Sequence, residues 1–225
     1  MMEPTPATAR APNTRTIGAI YGLYFLAAFA CAYLLKGLTV PGNPAATSAA
    51  IVAHEGLYRA GVAVELLSNA IYIAVTALFY RLFAPVDKSV SLVAAFLSLA
   101  GCVVQIVGGI FQLAPLVLLG GNPWLGVFAA DQLQAAALLS LKLYAETFNI
   151  SLVLFALYDL LLGVLVFRSK FLPRTLGVML ALAGLGWSTF AWPPLATAVS
   201  AFVLPFGALA ELILMAWLLV RAPRA

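Results

Sequence analysis

Charge is what this 225-residue chain has least of. Asp, Glu, Lys and Arg together make up 9% of it, while 64% is hydrophobic. A soluble domain carries about 25% charge. A chain this poor in charge cannot cover itself with a water-compatible surface, so its solvent is largely lipid. Histidine occurs once, at His54, and cysteine twice, at Cys31 and Cys102. A lone histidine with no cysteine beside it builds no zinc site. Two cysteines in separate apolar runs form no disulfide framework and read as small packing residues. No metal and no cofactor is expected. There is no glycine-rich phosphate loop, no His-Glu-x-x-His, no pair of Cys-x-x-Cys and no Gly-x-Ser-x-Gly elbow. These absences count against a nucleotide-driven pump and a zinc protease. The net charge of +4 is small, and nucleic acid is not an expected partner.

What is present in quantity is long apolar runs. A hydrocarbon core of about 30 Å needs roughly 20 apolar residues of helix. Six stretches meet or approach that length: Thr16–Leu35, Gly61–Phe83, Val90–Leu113, Thr147–Phe167, Leu176–Phe190 and Leu195–Val220. The first is longer than the apolar part of a signal peptide, so it reads as an uncleaved helix. With the N-terminus in the cytoplasm, Arg10, Arg15, Arg81, Lys88, Arg168, Lys170, Arg174, Arg221 and Arg224 fall inside. Only Lys36, Arg59 and Lys142 fall outside. The positive-inside rule therefore places both termini in the cytoplasm. The expected fold is all-α: a polytopic bundle of six transmembrane helices over residues 16–221, with short tails at 1–15 and 222–225. The expected location is the bacterial inner membrane, multi-pass, with the lipid bilayer as the first partner.

Two outer segments are longer than simple loops. Residues 44–59 are rich in alanine and fit an extra turn or two of helix. Asn122-Pro123 is a good helix start. The run after it, WLGVFAADQLQAAALLSLKLY, is apolar but broken by Asp131, Gln132, Gln134 and Lys142. It reads as a helix near 123–143 lying at the outer interface, anchored by Trp124.

At spacings of three, four and seven, small and polar residues fall into stripes. The third span aligns Gly101, Gln105, Gly108 and Gln112. The second aligns Gly61, Glu65, Asn69, Tyr72 and Thr76, and the fourth Glu146, Asn149, Ala156, Asp159 and Gly163. The fifth offers Gly177, Ala181, Gly184 and Ser188, and the sixth Gly207 and Glu211. Small residues let helices approach closely in lipid, and intramembrane polar groups face protein or a cavity. The stripes therefore mark the bundle interior. Trp187, Trp192 and Trp217 read as nearer the ends or on other faces. Asp159 and Glu211 lie deep in the membrane with no Arg or Lys to pair with. They are expected to carry a proton or to bond to neighbours such as Tyr158 or Gln105. The candidate ligand or proton-pathway residues are Asp159, Glu211, Glu65, Gln105, Asn149 and Tyr158.

The stretch FRSKFLPR at 167–174, followed by Leu176-Gly177-Val178 and Ala183-Gly184-Leu185-Gly186, carries a resemblance. So does the close from Glu211-Leu212 to Ala216-Trp217-Leu218-Leu219-Val220. The chain resembles the bacterial integral membrane proteins grouped as domain-of-unknown-function family 4386. Tyr158 stands where members often carry histidine, and Lys170 where they carry glycine. The resemblance implies the six-helix bundle and marks Glu211 as a shared feature; it implies no activity. Three classes of function stay open: a bundle whose polar interior binds a small molecule, lipid or proton; a non-catalytic accessory subunit with a membrane protein partner; and a small enzyme using a carboxyl as acid or base.

Overall fold

The computed structural model describes residues 13–220, and among them every regular element is helical. The helices are α1 (Thr14–Leu35), α2 (Pro44–Ala53), α3 (Glu55–Phe83), α4 (Lys88–Leu118), α5 (Ala130–Arg168), α6 (Arg174–Ser188) and α7 (Pro193–Val220). Single 3-10 turns lie at Pro123–Leu125 and Thr189–Ala191. The tails at either end and Arg221 lie outside the described residues.

Local chemistry sets the starts. Asn13 caps α1 by accepting the Arg15 N–H at 3.0 Å. Asn43 caps α2 by accepting from Ala46 at 2.9 Å, with Pro44 in the first turn. Asp87 caps α4 by accepting from Val90 at 3.1 Å. Each satisfies a backbone donor that a helix start leaves free.

Six helices form a ring. α1 packs on α3, α3 on α4, α4 on α5, α5 on α6, α6 on α7, and α7 returns to α1. The short α2 lies at one end of the ring, mainly against α5. There a small core gathers Leu38, Ile51, Tyr58, Val62 and Leu141. At the far end Arg168 pairs with Asp87 at 3.2 Å. Five helices, α1, α3, α4, α5 and α7, are long and apolar enough to cross a membrane. α6 has 15 residues, or about 22 Å at 1.5 Å per residue.

One expectation needs correction. The segment near 123–143 does not form a separate interfacial helix. Only Pro123–Leu125 makes its own turn; from Ala130 the chain runs unbroken through 39 residues to Arg168. The reason is compositional. No glycine or proline occurs between Gly126 and Gly163, and isolated polar side chains do not end a helix. At about 58 Å, α5 is roughly twice the hydrocarbon thickness. Its first turns stand beyond the ring and pack under α2, where Ala137, Leu138 and Leu141 are buried.

Glycines set the closest approaches. α6 runs antiparallel to α5, with Gly177 against Gly163 and Gly184 against Ala156 and Leu160. Elsewhere Tyr58 on α3 donates its hydroxyl to the carbonyl oxygen of Gln112 on α4 at 2.5 Å. Removing that hydroxyl in Tyr58→Phe is expected to cost about 1 kcal/mol. A drop of a few degrees in melting midpoint, with no change in oligomeric state, would be the sign of it.

Candidate functional site

The polar stripes of α3 and α4 turn inward. On α4, Gly101 lies against Phe155 and Gly108 against Thr147. Gln105 Nε2 donates to Ser151 Oγ at 3.0 Å, and Gln112 Nε2 donates to Glu65 Oε2 at 2.8 Å. Between these contacts the ring does not close on itself. A cavity of about 370 Å³ opens at its centre. All six ring helices contribute to its wall, through Tyr24 (α1), Tyr72 (α3), Gln105 (α4), Phe155 (α5), Trp187 (α6) and Glu211 (α7). A second cavity of about 290 Å³ continues toward the α2 end, sharing Tyr24, Ala28, Ala32, Gln105 and Phe148 with the first. Toward the far end the interior is filled instead, by Phe79, Phe83, Leu162, Leu165 and Leu176.

The second cavity is the more polar. Glu65 sits in its wall and accepts three donors from three other helices. They are the Tyr144 hydroxyl, Gln112 Nε2 at 2.8 Å and the Cys31 thiol at 3.7 Å. Arg59, the nearest basic residue on α3, is taken by Glu55 at 2.7 Å, so Glu65 is not its partner. Ser68 and Asn69 complete the polar side, with Asn69 Nδ2 on the Glu65 carbonyl at 3.1 Å.

The deeper cavity is mostly aromatic. Tyr24 and Tyr72 have ring centroids 4.6 Å apart, and Tyr72 meets Phe155 edge-on at 5.5 Å. Glu211 lies in this wall, 4% exposed, with the Tyr72 hydroxyl 3.4 Å from its Oε1. Asp159 lies behind it, 0% exposed and within electrostatic reach of Glu211. Neither carboxyl oxygen of Asp159 has a hydrogen-bond partner among the described residues. The expected bonds to Tyr158 or Gln105 are therefore not made; Gln105 is committed to Ser151, on the helix that carries Asp159.

Of the six candidates, then, the structure brings Glu65, Gln105 and Glu211 to the cavity walls and sets Asp159 behind them. Tyr158 is buried and lines a void of about 10 Å³ beside Thr76, Tyr80 and Ser91, outside both cavities but within electrostatic reach of Asp159 and Glu211. Asn149 is partly exposed and bonds to Glu146 at 3.3 Å, outside both cavities. Among the wall residues that were missed, three make contacts that shape the site. Tyr144 fell in the segment read as interfacial. Cys31 read as packing, yet donates to Glu65. Trp187 read as lying on another face. It presses instead on Gly207, donates its indole N–H to the Val203 carbonyl at 3.1 Å, and lines the deeper cavity. The signal for it was Gly207, which leaves α7 bare where a large ring must fit.

Residues 16–222 match the family model described as Domain of unknown function (DUF4386). No curated protein and no solved structure matches the chain.

Proposed function

The chain belongs to the DUF4386 family, and from that premise we propose a six-span protein of the bacterial inner membrane whose ring of helices holds a small molecule or lipid at its centre. The observation that carries this reading is the cavity of about 370 Å³ to which every ring helix contributes a wall residue. Ligand sites favour such concave, mostly apolar spaces with a few convergent polar groups. Glu211, Glu65 and Gln105 are the proposed contacts, with Asp159 behind them as a proton-accepting or proton-donating group.

α6 is the proposed sixth crossing. It runs back along α5 from Gly163 to Ala156, and a short span is accommodated by local thinning of the bilayer at modest cost. The far end of the ring carries Arg81, Lys88, Arg168 and Arg174, and the α2 end carries Lys36, Arg59 and Lys142. The positive-inside rule then puts the far end, and both termini, in the cytoplasm. The cavities sit in the half of the ring nearer the outside.

The test is thermal stability of the detergent-purified protein against a panel of lipids and small metabolites, beside Asp159→Asn and Glu211→Gln. A ligand present at 100 times its Kd stabilises by about 2.7 kcal/mol. A panel member should raise the midpoint of the wild type and raise that of Glu211→Gln much less. A panel that shifts neither protein counts against the binding reading and turns attention to a membrane protein partner.

A further inference from the structure

We infer that the cavity takes a protonated amine carried on an apolar, ring-sized body. This rests on the binding reading above and names the ligand's class.

The argument begins with Glu65. Its Oε1 accepts from the Tyr144 hydroxyl, and its Oε2 from Gln112 Nε2 and the Cys31 thiol. Donors from three helices thus converge on this one carboxyl. Among the described residues, no lysine, arginine or histidine lines either cavity. Glu211 adds a second carboxyl in the adjoining cavity, which shares five wall residues with the one that Glu65 lines. An anionic ligand would meet these groups with nothing to offset the repulsion. A cation would meet two carboxyl groups and, among the described residues, no competing positive charge. A metal ion fits poorly: no group of three His, Cys, Asp or Glu side chains lies together among the described residues. An organic cation fits all of this.

The rest of the wall sharpens the class. Tyr24, Tyr72, Phe148, Phe155 and Trp187 bring aromatic rings to the same space, and cations are held over such faces. Gln112 is 3% exposed, and its Oε1 has no donor. Because its Nε2 is fixed on Glu65, the amide cannot be flipped without setting oxygen against oxygen. The carboxyl groups of the walls, Glu65 and Glu211, suit a ligand that brings N–H donors, which an ammonium has and a quaternary nitrogen lacks. Size follows from volume. An apolar cavity of about 150 Å³ holds a benzene, so 370 Å³ accommodates an aryl ring with a short chain.

The experiment is calorimetric titration of the full-length protein in lipid nanodiscs with four matched probes. They are 2-phenylethylamine, 2-phenylethanol, 3-phenylpropionate and trimethyl(2-phenylethyl)ammonium. The amine should bind saturably and about tenfold more tightly than the alcohol. The quaternary analogue should fall between them, and the carboxylate should not bind. Glu65→Gln keeps acceptors for Tyr144 while removing the charge, and should abolish the preference for amine over alcohol. Equal affinities for amine and alcohol in the wild type would overturn the amine assignment and leave the binding cavity standing. Binding of the carboxylate alone would also overturn it. Silence from all four probes overturns the amine assignment, and the separate panel of lipids and metabolites then decides the binding reading. The wild-type comparison answers the question even where Glu65→Gln does not fold.

Discussion

Gly163→Val is expected to leave little folded protein. A Cβ built on Gly163 lies 2.7 Å from the Gly177 carbonyl oxygen and 2.8 Å from the Ala181 nitrogen. One on Gly177 meets the Gly163 oxygen and the Phe167 nitrogen, both at 2.7 Å, and one on Gly184 meets the Ala156 oxygen at 2.6 Å. These neighbours are backbone atoms and cannot swing aside. Even a methyl group must push α5 and α6 apart along their length, and valine adds two more carbons. Overpacking of a well-filled interior costs about 1–3 kcal/mol where side chains can yield. Where only backbone can move, the cost is larger and approaches the 5–15 kcal/mol that holds a typical domain together. Gly22→Ala is the matched control, because its nearest neighbour is the Met215 Sδ at 3.7 Å. Size-exclusion profiles and melting midpoints in detergent distinguish the two. A Gly163→Val protein that elutes and melts as wild type would mean that α5 and α6 do not pack as described.

That pair of glycines also shows where the sequence was legible and where it was not. Gly18 and Gly22, four residues apart on α1, look alike in one dimension. In the fold, a Cβ on Gly18 would sit 2.7 Å from the Leu219 nitrogen of α7, while Gly22 has room. Periodicity reports which face is small; the crossing point of two helices decides which small residue is indispensable, and no local pattern encodes it. The helical class, the long apolar runs and the inward stripes of α3 and α4 were legible because lipid imposes them segment by segment. The family resemblance was legible in FRSKFLPR and in the close after Glu211, and the family match over residues 16–222 bears it out. The single 39-residue α5 was not. Asp131, Gln132, Gln134 and Lys142 read as breaks in the apolar run, yet a helix long enough to leave the membrane takes its polar residues with it. That misreading hid Tyr144, and with it the donor that fixes Glu65. The partners of a buried acid were not legible either. Sequence names groups at the same depth, but Gln105 reaches Ser151 instead.

Asp159→Ala is expected to preserve or raise stability, by about 1–3 kcal/mol where the vacated space stays small. Asp159 is 0% exposed, and neither oxygen has a partner among the described residues. Burying a carboxyl without hydrogen bonds is a cost to the fold, whichever protonation state it adopts. Removing it relieves that cost, against the loss of a few atoms of packing. Glu211→Ala makes the contrast. It takes away the acceptor facing the Tyr72 hydroxyl and enlarges the cavity wall, so it should lower the melting midpoint. If the acid of α5 served to join helices, the order would reverse, and Asp159→Ala would be the more damaging of the two. The expected order has a consequence for function. A residue that weakens its own fold persists where activity needs it, because marginal stability is commonly traded for a strained or costly site. An ionisable group inside the membrane is most economically explained by a ligand or proton passing near it. Asp159 stands within electrostatic reach of Glu211, which lines a cavity walled largely by aromatic rings. Retained or increased stability in Asp159→Ala, together with lost ligand response, would assign the acid to the site and not to the scaffold.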